Sequence, residues 1–158
     1  MLTPQSLTVV FVDDQDRWEE QARRQLTERG MTMLTCVDLS SATDMLLPQK
    51  GKIVREVHIA LFDFNIVGGY GLKVSVIRDL FTRIKERGIA VAVCADGTDG
   101  WSHRLAEKLG VHLYPKLFNH FDDIALQEWG RRGERVNTPL LDGDQLAFGM
   151  RRVSRELA

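Results

Sequence analysis

The sequence predicts an α/β fold in which a five-stranded parallel sheet carries helices on both faces. Three observations predict it. Continuous apolar, β-branched runs without polar alternation recur along the chain, as strands buried on both faces require. Between them lie stretches with apolar residues three and four apart, the spacing of an amphipathic helix. Glycines follow three of these stretches, where a left-handed residue ends a helix.

Thr8 to Val12 (TVVFV) reads as the first strand and ends at Asp13-Asp14. Residues 15–29 read as a helix, with Trp18, Ala22 and Leu26 at steps of four and Gly30 as its stop. Met31 to Val37 reads as the second strand. Ser40 or Ser41 would cap a short helix that Pro48 ends. Residues 49–56 are polar and basic and read as a connection. Val57 to Phe62 reads as the third strand and delivers Asp63. After a loop over Asn65–Gly71, a helix runs to Arg87 on a stripe of Val74, Ile77, Leu80, Phe81 and Ile84, closed by Gly88. Ile89 to Ala95 reads as the fourth strand. Asp99 would cap a helix carrying Trp101, Leu105 and Leu109, closed by Gly110. Val111 to Tyr114 reads as a short fifth strand, and Phe121 to Trp129 fits a last helix capped by Asn119. Strands and helices in this alternation form a doubly wound, flavodoxin-like sheet. The tryptophans 18, 101 and 129 fall in helical stripes and are expected in the core.

A chain of 158 residues suits one domain with a tail. Its 44% hydrophobic and 27% charged residues exclude wholesale disorder. Its uncharged apolar runs are too short to span a membrane. The apolar run near the start lacks a positive flank and ends in acid, so no secretory signal is expected. A net charge of -1 argues against binding a nucleic-acid backbone by bulk charge. Cys36 and Cys94 alone make neither a disulfide framework nor a four-ligand zinc site, which fits a reduced, cytoplasmic protein. His58, His103, His112 and His120 show no metal-ligand spacing, and His58 reads as structural. The composition shifts at Gly130. Residues 1–130 form the expected domain, and 131–158 the expected linker and tail, with six arginines against four acids. Leu146, Met150, Val153 and Leu157 could line one face of a short final helix.

Ligands in an open parallel sheet bind beyond the carboxyl ends of the strands. Asp13 and Asp14 stand there after the first strand and Asp63 after the third. Cys94, Ala95 and Asp96 close the fourth, and Lys116 follows the fifth. Three carboxylates and a lysine from separate segments suit a hard divalent cation such as Mg²⁺ and a phosphoryl oxygen. Each residue also has a plainer reading. Asp13-Asp14 could be a helix cap and a first-turn acid, Asp63 a turn residue, Lys116 a surface lysine and Cys94 a small buried residue. Asp96 could cap a turn at Gly97 or repel an incoming anion.

These landmarks, in order, carry a family resemblance. The acidic pair Asp13-Asp14, the aspartate in FDFNIVGGYGL, the small residues after strand four and the lysine in YPKLF resemble a receiver domain of two-component response regulators. The resemblance runs from about Leu7 to Trp129. It implies Asp63 as phosphoacceptor for a histidine kinase or phosphotransfer protein. It implies Mg²⁺ held by Asp13, Asp14, Asp63 and the backbone carbonyl of Asn65, with Lys116 on the phosphoryl group. The stretch after residue 130 leaves no room for a typical DNA-binding output domain, so a stand-alone domain is expected whose output is protein–protein contact with a downstream protein, through its last helices or its tail. No direct DNA binding is expected, and homodimerisation is compatible with it. Such a domain is no enzyme for a separate substrate, though it assists its own phosphorylation and dephosphorylation.

Three positions depart from the family pattern. Cys94 stands where Ser or Thr is usual, and a thiol is a much weaker donor. Leu113 stands where Tyr or Phe is usual, with Tyr114 one residue along; one residue is the opposite strand face, so either the strand is shifted by a residue or the usual aromatic switch is absent. Leu117, not proline, follows Lys116. The altered Cys94 and Leu113 positions favour the alternative of a pseudo-receiver, a binding or dimerisation module without phosphoryl chemistry, while the complete set of acids and Lys116 argues against it. A Mg²⁺-dependent phosphohydrolase is the third reading. It is weakened by Asn65 standing two residues beyond Asp63, where a second aspartate would serve, and by the lack of a general base.

Overall fold

The computed structural model describes residues 7–49, 56–68, 73–97, 100–116 and 120–136, with side chains through Arg132. Five strands, β1 (Thr8–Val12), β2 (Thr32–Cys36), β3 (Ile59–Asp63), β4 (Ala90–Ala95) and β5 (His112–Pro115), form one sheet. Its order is β2-β1-β3-β4-β5, and every pairing is parallel. Every residue of β1, β3 and β4 is buried, which explains their unbroken apolar sequences.

Alternation along the strands splits the core in two. Val9, Phe11, Ile59, Leu61, Ala90, Ala92 and Cys94 pack with α1 (Asp16–Glu28) and α6 (Phe121–Val136). Val10, Val12, Ala60, Phe62, Val91 and Val93 pack with α2 (Leu39–Leu46), α4 (Val74–Glu86) and α5 (Gly100–Leu109). The one-turn α3 (Phe64–Gly68) adds Phe64, Ile66 and Val67 to this second layer. Gly30, Gly88 and Gly110 have φ of 81°, 83° and 73°, the left-handed closure expected after α1, α4 and α5.

Several local expectations need correction. Asp38, not Ser40 or Ser41, caps α2: its carboxylate accepts the Ser41 N–H at 2.8 Å and the Ser41 hydroxyl at 2.6 Å. Phe64–Gly68 is helical rather than loop, because Phe64, Ile66 and Val67 all find core contacts there. Trp101 is 51% exposed, not core. It lies in the first turn of α5, past the strand ends, where Phe64 meets its ring edge-on at 5.3 Å. Helix α6 continues through the expected linker to Val136. Tertiary anchors hold that extension: Arg132 stacks on Trp129 at 4.5 Å and donates to the Gly88 carbonyl. The Asp99 and Asn119 caps, residues 69–71 of the loop, most of the 49–56 connection and the tail helix lie outside the described residues.

His58 is structural, as expected. It is buried just before β3, its Nδ1 accepts the Thr8 N–H at 2.9 Å, and Trp129 packs on it edge-to-face at 5.2 Å.

Candidate functional site

The strand register assembles the site. Val12 pairs with Phe62, so the next residues, Asp13 and Asp63, emerge side by side at the ends of β1 and β3. Asp63 pairs with Cys94 on β4, and Cys94 with Tyr114 on β5. Lys116 lies two residues beyond Tyr114 and reaches back across this row.

Lys116 is the centre of the charge arrangement. It is 1% exposed, and its ammonium donates to Asp13 Oδ2 and, at 2.6 Å, to Asp63 Oδ1. The indole of Trp18 faces the same ammonium at 5.0 Å and the ring of Phe11 at 5.9 Å. Burial works against the charged lysine, but the hydrogen bonds and charges of the two aspartates outweigh it and hold its pKa above the ordinary value. Burial raises the Asp63 pKa; Lys116 opposes that rise, while Asp13 and Asp14 add to it. Asp13 uses its two oxygens differently. Oδ1 accepts the Gln15 N–H at 2.9 Å while Oδ2 meets Lys116. Gln15 is the N-cap position of α1, so neither Asp13 nor Asp14 is the helix cap.

Asp13, Asp14 and Asp63 each place a carboxylate oxygen within 4.8 Å of the others. Oxygen donors this close, two buried and one exposed, fit a hard divalent cation that keeps part of its water shell. Asn65 lies in α3, two residues past Asp63, with an exposed side chain. Cys94 is fully buried beside Asp63, and burial pushes its thiol up to about 12, so it stays a neutral, weak donor. Asp96 stands exposed at the rim, 3.9 Å from Arg17 of α1.

Leu113 and Tyr114 take opposite faces. Leu113 packs with the α4 and α5 layer, and Tyr114 with the α1 and α6 layer. With Leu113 paired to Val93 and Tyr114 to Cys94, Tyr114 does not stand in for an aromatic ring at Leu113. Tyr114 instead joins a cluster that the sequence did not suggest. Its hydroxyl donates to Glu128 Oε2 at 2.6 Å and accepts from Arg131, which lies 3.0 Å from the same carboxylate. Glu128 is 0% exposed. Burial raises the Tyr114 pKa, and the Glu128 carboxylate raises it further. The signal for this cluster was an acid placed inside the apolar stripe of Ile124, Ala125 and Trp129.

No family model matches the sequence, and no curated protein matches it. Solved structures do resemble it. A response regulator from Thermotoga maritima matches with a TM-score of 0.53 at 18% identity, over 69% of this chain and 82% of that one. A response regulator protein from Burkholderia pseudomallei, solved with a phosphorylated aspartic acid, a calcium ion and citrate, gives 0.60 at 15%, over 87% and 75%. A two-component response regulator from Legionella pneumophila gives 0.62 at 14%, over 79% and 98%. Likeness at such identity speaks for architecture, and the sheet order and strand-end acids described above agree with it. The chain has the fold of a response-regulator receiver domain.

Proposed function

We propose that this protein is a phosphorylation-dependent signalling switch of the two-component type. Asp63 is the acceptor. Its carboxylate attacks phosphorus, an O–P bond forms, and the P–N bond of a donor phosphohistidine breaks with its electron pair leaving on the imidazole. Asp13, Asp14, Asp63 and the Asn65 carbonyl would hold Mg²⁺, which when bound neutralises charge on the transferring group. Lys116 trades its Asp63 contact for a phosphoryl oxygen. The observation that carries this reading is the joint placement of three carboxylates within 4.8 Å and a buried lysine across them. The phosphorylated aspartic acid of the Burkholderia pseudomallei structure is consistent with it. The donor would be a histidine kinase or phosphotransfer protein and the output a contact with a downstream protein, without direct DNA binding and in the cytoplasm. The protein would turn over no separate substrate.

A second reading is a pseudo-receiver that binds or dimerises without phosphoryl chemistry. The neutral, buried Cys94 thiol and the absence of an aromatic ring at Leu113 favour it. Intact mass after incubation with a small acyl phosphate and Mg²⁺ separates the two. One phosphoryl adduct, lost in Asp63→Asn and without the metal, supports the switch. No adduct together with no Mg²⁺ binding supports the pseudo-receiver.

A further inference from the structure

A phosphoryl group on Asp63 carries three non-bridging oxygens, and each needs a partner when water is excluded. Lys116 stands on one flank, and the acidic cluster with a cation on another. On the β4 flank, the side chain paired beside Asp63 is the Cys94 thiol. It is buried, and a thiol is a weak donor. The sheet thus supplies no strong side-chain donor from that side among the described residues.

Arg17 approaches the end of β4 from α1. It belongs to the first turn of α1, and its guanidinium lies 3.9 Å from Asp96, two residues beyond Cys94. It stacks on the Trp18 indole, 4.5 Å from the ring centroid. The same indole faces the Lys116 ammonium at 5.0 Å. One buried ring therefore shelves both cations, and Arg17 reaches from the metal-binding strand's helix to the end of β4 across the rim of the site. Its pair with Asp96 is long, and the two side chains are 66% and 51% exposed. Such a pair contributes little and opens readily. A phosphoryl oxygen is a stronger partner for a guanidinium, which can present two parallel donors to it.

We infer that Arg17 is a phosphoryl-binding residue: it leaves Asp96 and donates to the phosphoryl oxygen that Cys94 cannot hold. This inference rests on the reading of Asp63 as phosphoacceptor. It assigns Asp96 a role as the resting partner of Arg17. It also makes Trp18 the platform that keeps the guanidinium at the site rather than in solvent.

The test uses the full chain, Mg²⁺ and trifluoroberyllate, an analogue of the phosphoryl group, with binding followed by fluorine NMR. The wild type binds. Arg17→Ala binds about tenfold more weakly or worse, the loss of a charge-assisted hydrogen bond. Its urea midpoint stays at the wild-type value, because the side chain is exposed. In a Cys94→Thr background, which restores a hydroxyl donor, Arg17→Ala costs less than about threefold. Cys94→Ser repeats the comparison with a smaller hydroxyl. Unchanged affinity in Arg17→Ala overturns the inference. A loss of the same size in both backgrounds overturns it too, because Arg17 would then act through its general positive field. Failure of the wild type and both hydroxyl variants to bind the analogue overturns the phosphoacceptor reading itself, and this inference with it.

Discussion

The Lys116 ammonium sits between two buried aspartates, Asp13 and Asp63. Lys116 is 1% exposed, and the side chains of Asp13 and Asp63 are 0% and 5% exposed. Replacing Lys116 by Met keeps the length of the side chain and deletes its charge. Two carboxylates then face each other without their shared partner. Breaking a buried pair in this way costs about 3–5 kcal/mol. For a domain of this size that lowers Tm by roughly 10–15 °C. The loss depends on pH with a definite sign. Asp63 already has a folded pKa above its ordinary 3.8, and without Lys116 it rises further. A raised carboxylate contributes stability below its folded pKa and loses it as pH rises, so the deficit of Lys116→Met shrinks on acidification. Mg²⁺ bound only by the folded state adds stability, about 2.7 kcal/mol at a hundredfold excess over Kd. The ammonium competes with the cation for Asp13 and Asp63, so the variant gains more from Mg²⁺ than the wild type does. Urea titrations of both proteins between pH 5 and 8, with and without Mg²⁺, measure all three effects. A deficit below about 1 kcal/mol that ignores both pH and metal would mean that Lys116 does not neutralise the two aspartates.

Other outcomes follow from the same geometry. Tyr114→Phe removes the hydroxyl donor of the buried Glu128 and is expected to cost about 1–3 kcal/mol in urea unfolding; an unchanged midpoint would show the carboxylate to be satisfied without it. The His58 pKa is lowered, by burial first, so its contribution to stability holds above its ordinary 6.5 and is lost as pH falls through the lower folded value. Wild type should therefore lose more stability than His58→Asn between pH 7 and 5, and parallel curves would contradict this. Cys36 and Cys94 are buried with raised pKa, so a soluble disulfide reagent should label neither in the native protein and both after denaturation; prompt native labelling would contradict the burial.

The fold was legible wherever one strand or helix carried its own signal. TVVFV, VHIALF and IAVAVCA are apolar at every step or nearly so because both sheet faces are covered. Gly30, Gly88 and Gly110 marked helix ends because each takes a positive φ that other residues resist. Asp13, Asp63 and Lys116 were legible as strand-end residues, since parallel strands bring their ends to one edge. What escaped depends on partners distant in sequence. The end of α6 holds two glycines and several arginines, a linker composition, yet Arg131 and Arg132 are anchored on Tyr114, Glu128, Gly88 and Trp129. Asp38 and Ser41 are both competent caps, and only the backbone geometry decides that Asp38 takes the position. Trp101 shares the stripe of Leu105 and Leu109, but the stripe runs past the sheet and leaves the ring half uncovered.

The proposed switch depends on Asp63 carrying the phosphoryl group. Borohydride reduction of the phosphorylated protein converts an aspartyl phosphate to homoserine, which peptide mass spectrometry places in the sequence. Homoserine is expected at position 63, dependent on Mg²⁺ and abolished in Lys116→Met or reduced to a trace. Homoserine at another aspartate, or an undiminished yield without Mg²⁺, would contradict it.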